Sequence, residues 1–420
     1  MLTIQFGQCG NQLGHTLFSE VSSDLECANT GVSYKANYQY SEDTFNKWFN
    51  GISKNNERLA RAVLVDTEQK VISKIYNDKS NSWTYSTRNV ICQAGGGCAN
   101  NWAFGYMIKG YELSNVILNC VRQEIEKLDH FDGFLLLLSS AGGTGSGIGS
   151  YITKLLRKEY GKKSIVNTTI LPFSFGEVCT QNYNTLLTLA KVYSESDINI
   201  LIENEHIYNT CTNLLKKSPT NLQDMNKIAC HPSYKIATIK STPHIPATSA
   251  SYEPMYTWNS YIHHLKQTLR ISNFNSQLTN VELKIPSNSL SNTTHHTYAC
   301  SVSNVLITRG IVSEQDPIVT DIFKEKHLYA DWNTIDCFTH LHQNRKFLNH
   351  DKFLALITNN FQISYSLDVL LNKAWKSYIH SAFLHQYKQF GLEEDDFLQA
   401  FAVLENVVKD YKEVVPHAKQ

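Results

Sequence analysis

An apolar run leads directly into a glycine-rich turn at residues 134–149, FLLLLSSAGGTGSGIG. The run from 134 to 138 carries no charge and is too short to span a membrane, so it is predicted to be a buried strand. After the turn, Ile148, Ile152 and Leu156 recur at helical spacing. When a strand, a glycine turn and a helix follow in this order, several backbone N–H groups point to one spot at the helix N-terminus. This spot also lies at the positive end of the helix dipole. This segment is therefore suited to bind phosphate.

The class of phosphate site is constrained by what the turn lacks. No Lys followed by Ser or Thr comes after the second glycine, so the turn is not a P-loop. Glycines alternate at 143, 145, 147 and 149, which is not the spacing of a dinucleotide-binding fingerprint. Glycine lets a phosphate approach the backbone, and Thr144 and Ser146 can add hydroxyl donors. A flexible turn without a ligand is the alternative at this point.

Composition limits the classes of partner. A chain of 420 residues is expected to form two or three domains. The formal net charge is zero, so there is no general electrostatic attraction to nucleic acid or to anionic membranes. No membrane span or signal pattern is visible, and the ten cysteines form no C-x-x-C pair. We expect a cytosolic protein with reduced thiols and no zinc site.

The first half of the chain alternates strands and helices, which is typical of a parallel sheet covered on both faces. The strands are predicted at 2–6, 61–65, 134–138, 164–171 and 198–202. Ligands of such sheets bind beyond the carboxyl ends of the strands, where four of these strands run into polar or glycine-rich loops.

The second half is less regular. Strands are predicted at 236–239, 300–307 and 354–364, a helix at 257–271 and a long loop at 272–299. The last fifty residues or so are predicted to form two helices. The first carries Leu367, Leu371 and His385 on one face and ends at Gly391, and the second begins at the acidic cluster 393–396.

The turn AGGTGSG resembles the signature loop of the tubulin and FtsZ family of GTPases. Further segments resemble tubulin loops in the same order along the chain: GQCGNQ at 7–12, DTE at 66–68, GGGCANNWA at 95–103, ENE at 203–205 and DMN at 224–226. The resemblance extends over the whole chain. It implies a parallel Rossmann-like α/β GTPase sheet, a second α+β intermediate domain and a C-terminal helical pair. The implied boundaries are 1–204, 205–231 for a shortened core helix region, 232–365 and 366–420.

The resemblance also implies the cofactors, GTP and Mg²⁺. The residues that would contact GTP are Gln8, Cys9, Gln12, Asn100, Ser139, Ala141, Gly142, Gly143, Thr144, Gly145, Ser146, Gly147, Glu177, Gln181, Asn204 and Asn226. Glu68 would hold Mg²⁺, directly or through water, and one carboxylate is sufficient because phosphates and waters complete the coordination. The amides of Asn204 and Asn226 would read guanine, since an amide offers both a donor and an acceptor.

Several positions depart from α- and β-tubulin. Gln181 stands where those chains have Glu, Leu222 replaces a base-stacking Tyr, and no acidic tail ends the chain. Segments 175–178, 374–375 and 385–391 resemble the δ-tubulin subfamily. That resemblance implies a cytoskeletal protein of centrioles, the centrosome and basal bodies, which supports triplet and ciliary microtubules. Its implied partners are other tubulins, microtubules and centriolar proteins, with no nucleic acid or membrane.

A gap is predicted after Asn226. Pro232 is expected to end the core helix near Cys230, because proline cannot continue a helix interior. Residues 233–239 then resemble a strand that lies a few dozen residues further along in the family. The end of the core helix and the loop and helix that complete hydrolysis in a neighbouring subunit are therefore expected to be missing, through a lineage deletion or a skipped exon. We expect GTP binding without activation of a partner.

Two other functions remain open on the residues. A self-contained GTPase would need a base or water-positioning residue in the same chain, and Glu68 is the candidate, although the resemblance assigns it to magnesium. A dinucleotide oxidoreductase is disfavoured by the spacing of the glycines.

Overall fold

The structure is a computed structural model that describes most of the chain. The described residues are 1–27, 32–78, 80–92, 96–174, 176, 178–214, 219–238, 270–271, 297–298, 301–330, 337–348 and 350–413. The strands of this part are β1 Leu2–Phe6, β2 Phe49–Ile52, β3 Arg58–Ala60, β4 Ala62–Asp66, β5 Trp83–Tyr85, β6 Val90–Cys92, β7 Gly133–Ser139, β8 Ser164–Leu171, β9 Ile198–Glu203, β10 Arg270–Ile271, β11 Thr297–Tyr298, β12 Ser301–Gly310, β13 Phe338–Gln343 and β14 Lys352–Asn360.

The α-helices of the same part are α1 Gly7–Glu26, α2 Tyr34–Trp48, α3 Gln69–Tyr76, α4 Gly110–Ile125, α5 Gly149–Glu159, α6 Gln181–Glu195, α7 Asn204–Asn209, α8 Leu222–Thr238, α9 Ile363–Ile379, α10 His385–Lys388 and α11 Glu394–Glu413. Wide π-helical turns lie at Phe104–Lys109, Thr144–Ile148 and Thr210–Leu214. Short 3-10 turns lie at Thr87–Asn89, Asp321–Phe323 and Lys326–Leu328. No described helix is long and apolar enough to cross a membrane.

Six parallel strands form the central sheet, in the order β6-β4-β1-β7-β8-β9. Successive residues of β7 face opposite helix layers. Leu136 and Leu138 pack in a core with α4 and α5, whereas Leu135 and Leu137 pack in a second core with α1 and α8. Burial on both faces explains why β7 is an unbroken apolar run. The predicted parallel α/β sheet is confirmed.

The strand order fixes where a ligand can bind. From β1 the chain first adds β4 and β6 on one side, and then returns to add β7, β8 and β9 on the other. The order therefore reverses between β1 and β7. In open parallel sheets this reversal opens a crevice outside the carboxyl ends of the strands. Phe6 and Ser139, at the ends of β1 and β7, lead into the two loops that flank this crevice.

The second half adds a smaller mixed sheet and the terminal helices. Strand β12 pairs in parallel with β13 and antiparallel with β14. Helices α9 and α11 pack on α6 in a separate core that includes Tyr183, Tyr387, Phe397 and Phe401. This core connects the C-terminal helices to the sheet through α6.

A buried ionic cluster joins the first and second halves of the chain. Asp24 of α1 pairs with Arg309 of β12 and with Arg345, at 3.1 and 2.8 Å. All three residues are at most 3% exposed, and the Tyr40 hydroxyl donates to Asp24 at 2.6 Å. Removal of one member of a buried ion pair leaves an uncompensated charge, so this cluster fixes how α1 and β12 meet.

The core helix does not end where the sequence predicts. Helix α8 continues to Thr238, so the predicted stop near Cys230 is wrong. The strand predicted at 236–239 is wrong as far as Thr238, and residue 239 lies outside the described residues. Pro232 deprives the helix of a single i→i−4 hydrogen bond, and a helix can continue on both sides of such a defect at a local cost. Met225, Ala229 and Cys230 anchor α8 in the core against α1.

The first terminal helix is also interrupted. It ends at Ile379 and does not continue to Gly391, and a short helix α10 follows. Ser381 and Phe383 have φ of +49° and +60°, a left-handed conformation that breaks an α-helix. Gly391 has φ of +87° and follows α10, where a glycine can end a helix.

Two further boundaries differ from prediction. The strand expected over 354–364 ends at Asn360, whose side chain accepts from the Gln362 N–H at 2.9 Å and turns the chain into α9. The predicted helix 257–271 lies outside the described residues except for Arg270–Ile271. These form β10, which pairs with β11 inside the predicted loop 272–299. Pairing between distant segments leaves no local periodicity.

Candidate nucleotide-binding site

Six segments follow the carboxyl ends of the six parallel strands and therefore meet along one edge of the sheet. After β1 and β9 the segment is the start of a helix, α1 or α7, and not a loop. Strands β1, β4, β6, β7 and β9 lead into segments that the sequence singled out, and β8 leads into the segment before Gln181. The topology brings these segments together although nearly two hundred residues separate the first from the last.

The predicted first loop, 7–12, forms the first turns of α1 and lies directly against the glycine turn. Gly7 has φ of +68°, and a Cβ on it would lie 2.9 Å from the Gly145 nitrogen. A Cβ on Gly10 would lie 2.2 Å from the Leu137 carbonyl oxygen, so α1 packs on β7 with no room for a side chain. Glycine is therefore required at these positions by close backbone approach.

The glycine turn is crowded on one side and open on the other. A Cβ on Gly143 would lie 2.5 Å from the Cys98 carbonyl oxygen, and one on Gly147 would lie 2.5 Å from that of Trp102. At Gly142, the nearest atom to such a Cβ is the Asn100 side-chain oxygen, 3.8 Å away. The open space above Gly142 faces Asn100 and the first turn of a helix, whose N–H groups have no intrahelical partner.

The hydroxyl groups of the turn are already bonded within the protein. Ser146 donates to the Gly142 carbonyl oxygen, and Thr144 and Thr67 share a hydrogen bond of 2.8 Å. The Ser139 hydroxyl accepts from the Ala141 N–H at 3.3 Å. These contacts hold the shape of the turn, so its backbone is what remains to meet a phosphate.

A buried carboxylate shapes the acidic loop. Asp66 accepts from the N–H groups of Thr67 and Glu68 at 2.8 and 3.2 Å and from the Asn11 amide at 3.4 Å. Burial raises the pKa of Asp66 to about 6. The loop leaves Glu68 exposed, and its carboxylate lies where a Cβ on Gly97 would approach to 2.5 Å. The Glu68 carboxylate thus faces the loop that follows β6.

That loop has an unusual backbone. Ala99 and Asn100 have φ of +48° and +50°, which costs energy for residues with a Cβ. Its Asn100 carbonyl oxygen accepts from Thr180 and Asn184 at 3.1 and 2.8 Å. The Asn100 side chain remains exposed beside the space above Gly142.

The remaining predicted residues differ in their access to the crevice. Gln8 is exposed, whereas Cys9 and Gln12 are partly buried. Desolvation raises the pKa of the Cys9 thiol to about 12, so this thiol stays protonated near neutral pH. Asn204 and Asn226 are partly exposed at the starts of α7 and α8, and no hydrogen bond to either amide is found among the described residues.

For two predicted residues after β8, the structure does not show a side chain that is free to contact GTP. The Gln181 amide donates to the Phe173 carbonyl oxygen at 3.2 Å and is buried. Glu177 lies outside the described residues. Leu222, at the first position of α8, is 58% exposed, so its side chain gives no enclosed apolar wall.

The hydrogen-bond donors and the carboxylate of this site suit a nucleoside triphosphate with magnesium. Backbone N–H groups at a helix start suit phosphates, and unpartnered amides suit a base edge. The described residues hold no group of three metal-ligating side chains, and Glu68 is a single exposed carboxylate that faces the loop after β6. Mg²⁺ commonly takes one or two carboxylates and completes its shell with phosphates and water, so this set fits it.

Two residues of the site have a structural role that the sequence does not show, although the resemblance places Asn184 near the ribose and Tyr387 in a δ-tubulin-like segment. Asn184 and Tyr387 hold the loop after β6 through buried hydrogen bonds. Asn184 lies 84 residues from Asn100 and 203 residues from Tyr387 along the chain. No local sequence pattern therefore indicates these hydrogen bonds. A buried polar residue within an apolar helix face, as Asn184 is in α6, is the available hint.

Comparison with known proteins agrees with this geometry. Residues 1–212 match the Tubulin/FtsZ family, GTPase domain. The tubulin delta chain of Mus musculus is 31% identical, with 99% of this chain and 100% of that protein aligned. The tubulin delta chain of Homo sapiens is 32% identical, over 98% of this chain and 99% of that protein. The tubulin gamma chain of Saccharomyces cerevisiae is 26% identical over 98% of this chain and 92% of its own length. The chain belongs to the tubulin/FtsZ family of GTPases, in its tubulin branch.

Proposed function

We propose that this chain binds GTP and Mg²⁺ at the carboxyl edge of its sheet and acts as a δ-type tubulin in centrioles and basal bodies. The single observation that carries the nucleotide site is the open space above Gly142, which faces Asn100 at the reversal of strand order. The similarity to tubulin delta chains along the whole chain supports the subfamily. Other tubulins and centriolar proteins are the proposed partners.

Each part of the crevice has a distinct role in this proposal. The N–H groups of the turn 141–147 bind the phosphates at the helix dipole, and Glu68 holds Mg²⁺, directly or through water. Asn204 and Asn226 pair with the guanine edge. Asn100 contacts the terminal phosphate. Magnesium, when bound, neutralises phosphate charge.

A contribution to hydrolysis in a neighbouring subunit is not part of the proposed activity. No Asp or Glu occurs between Asp224 and Glu253, so α8 carries no acid after its first turn. The alignment with the mouse delta chain runs over 458 positions, more than the 420 residues of this chain, so it opens gaps on this side. These observations support the loss of the segment that completes a partner's site.

Hydrolysis in the presence of a partner tests this proposal. Purified chain is titrated into a tubulin preloaded with labelled GTP, and single-turnover phosphate release is measured. We expect release from the partner to stay unchanged as the chain is added, because no acid reaches its nucleotide. A matched chimera carries, after Asn226, the corresponding residues of a delta-chain relative that this chain lacks. This chimera should increase phosphate release from the partner.

Two results would contradict the proposal. An increase in partner hydrolysis with the unmodified chain would show that an activating residue is present. Rapid hydrolysis by the chain alone, independent of concentration, would instead favour a self-contained GTPase with Glu68 as its polar catalytic group.

A further inference from the structure

The side chain of Asn184 uses its whole hydrogen-bonding capacity to join three segments. Its Nδ2 donates to the carbonyl oxygens of Asn100 and Ala141 at 2.8 and 2.7 Å. Its Oδ1 accepts from the Trp102 N–H at 2.9 Å and from the Tyr387 hydroxyl at 2.7 Å. The residue is fully buried, so loss of any one bond leaves a polar group unpaired.

The C-terminal side of this network is equally fixed. Tyr387 of α10 is fully buried, with its ring edge-on to Tyr183 and Phe397 at centroid distances of 5.6 and 5.4 Å. Its hydroxyl lies 3.3 Å from the Thr180 carbonyl oxygen as well, a longer contact than that to Asn184. A neighbouring bond runs from the Asn101 amide to the Gln386 carbonyl oxygen at 2.9 Å.

These bonds converge on the strained loop. Ala99 and Asn100 adopt left-handed backbone conformations that residues with a Cβ rarely keep unless their surroundings impose them. The loop closes its own turn through the Asn101 N–H, which donates to the Cys98 carbonyl oxygen at 2.9 Å. The bonds that hold this turn in place from outside come from Thr180, from Asn184 of α6 and from the segment 384–391. The conformation of the loop after β6 therefore depends on how that C-terminal segment is seated.

We propose that Asn184 and Tyr387 are positioning residues of the nucleotide site, through which the segment 384–391 sets the conformation of residues 98–102. This rests on the proposed function, in which Asn100 lies beside the terminal phosphate. The consequence is selective: the network favours GTP over GDP, since GDP lacks the group that the loop contacts. Because such coupling is reciprocal, bound GTP should in turn stabilise the packing of the segment 384–391 against α6.

Tyr387→Phe tests the network because it removes one hydroxyl and keeps the ring. We expect GTP affinity to fall about threefold to tenfold, the range that loss of one buried hydrogen bond gives, while GDP affinity changes by less than about twofold. Hydrogen exchange of the nucleotide-free protein should become faster at 98–105 and stay unchanged at 134–138. Tyr378→Phe is the matched control, since Tyr378 packs against Phe397 in the same core.

The outcomes separate this inference from the proposed function. Equal weakening of GTP and GDP, or unchanged exchange at 98–105, would overturn the positioning role. A failure of the unmodified chain to bind GTP would overturn the proposed function, and the exchange difference would still report on the network. Asn184→Ala combined with Tyr387→Phe should weaken GTP binding by less than the product of the single effects, because the two substitutions remove the same Tyr387–Asn184 bond.

Discussion

At the scale of single residues, the glycines of the turn after β7 have different roles. Gly143 and Gly147 are required by backbone atoms of the neighbouring loop, whereas Gly142 faces open space. The sequence alone does not distinguish these glycines. The difference arises because backbone atoms of a segment some forty residues earlier approach Gly143 and Gly147. The structure thus isolates Gly142 as the position where an added methyl group makes only an ordinary contact with Asn100 and enters the space that we propose for the phosphates.

Gly142→Ala is therefore expected to fold normally and lose nucleotide affinity. The added methyl group makes only ordinary contact with Asn100, so the free energy of unfolding without nucleotide should change by less than about 0.5 kcal/mol. GTP affinity should fall on the order of tenfold or more, because the methyl group occupies the phosphate space. Calorimetric titration and denaturant unfolding measure the two quantities.

The matched control is Gly161→Ala. A Cβ there meets only the Arg157 carbonyl oxygen, at 3.5 Å, in the turn after α5 and away from the strand ends. This variant should keep both stability and GTP affinity. Unchanged GTP affinity in Gly142→Ala would mean that no phosphate lies above the turn.

At the scale of elements, local patterns predicted the strands and loops that build the site. The apolar run of β7 and the GQCGNQ loop each carry their signal within a few residues. Boundaries that depend on distant partners were wrong: α9 stops at Ile379, and β10 and β11 pair within a predicted helix and loop. Helix α8 continues through Pro232, and the turns before this residue pack on α1, a contact that local propensity does not report.

Pro232→Ala is expected to stabilise the protein. Alanine restores the missing N–H inside α8, which should raise the free energy of unfolding by about 1–2 kcal/mol after the greater freedom of the unfolded chain is subtracted. Urea unfolding followed by circular dichroism measures the change.

Pro317→Ala provides the comparison, because Pro317 is exposed in the loop between β12 and β13. Its loss should lower the free energy of unfolding by less than about 1 kcal/mol. Equal, slightly destabilising effects of both substitutions would show that α8 ends before Pro232.

At the scale of the whole molecule, buried polar contacts connect parts of the chain that the sequence keeps far apart. Asp24, Arg309 and Arg345 join α1 to the second sheet, and Tyr387 joins the C-terminal segment to the loop after β6. Both connections reach elements that carry nucleotide loops, α1 and α6. The candidate nucleotide crevice therefore depends on described residues from both halves of the chain, in agreement with the full-length similarity to tubulins.

Equilibrium titration of the purified full chain with GTP and with ATP, each with Mg²⁺, tests the central claim most directly. The proposed amide contacts to guanine predict saturable binding of one GTP per chain, with ATP weaker on the order of a hundredfold or more. Binding of ATP as tightly as GTP would contradict a guanine-specific site at Asn204 and Asn226. Absence of GTP binding by a folded chain would contradict the nucleotide site itself.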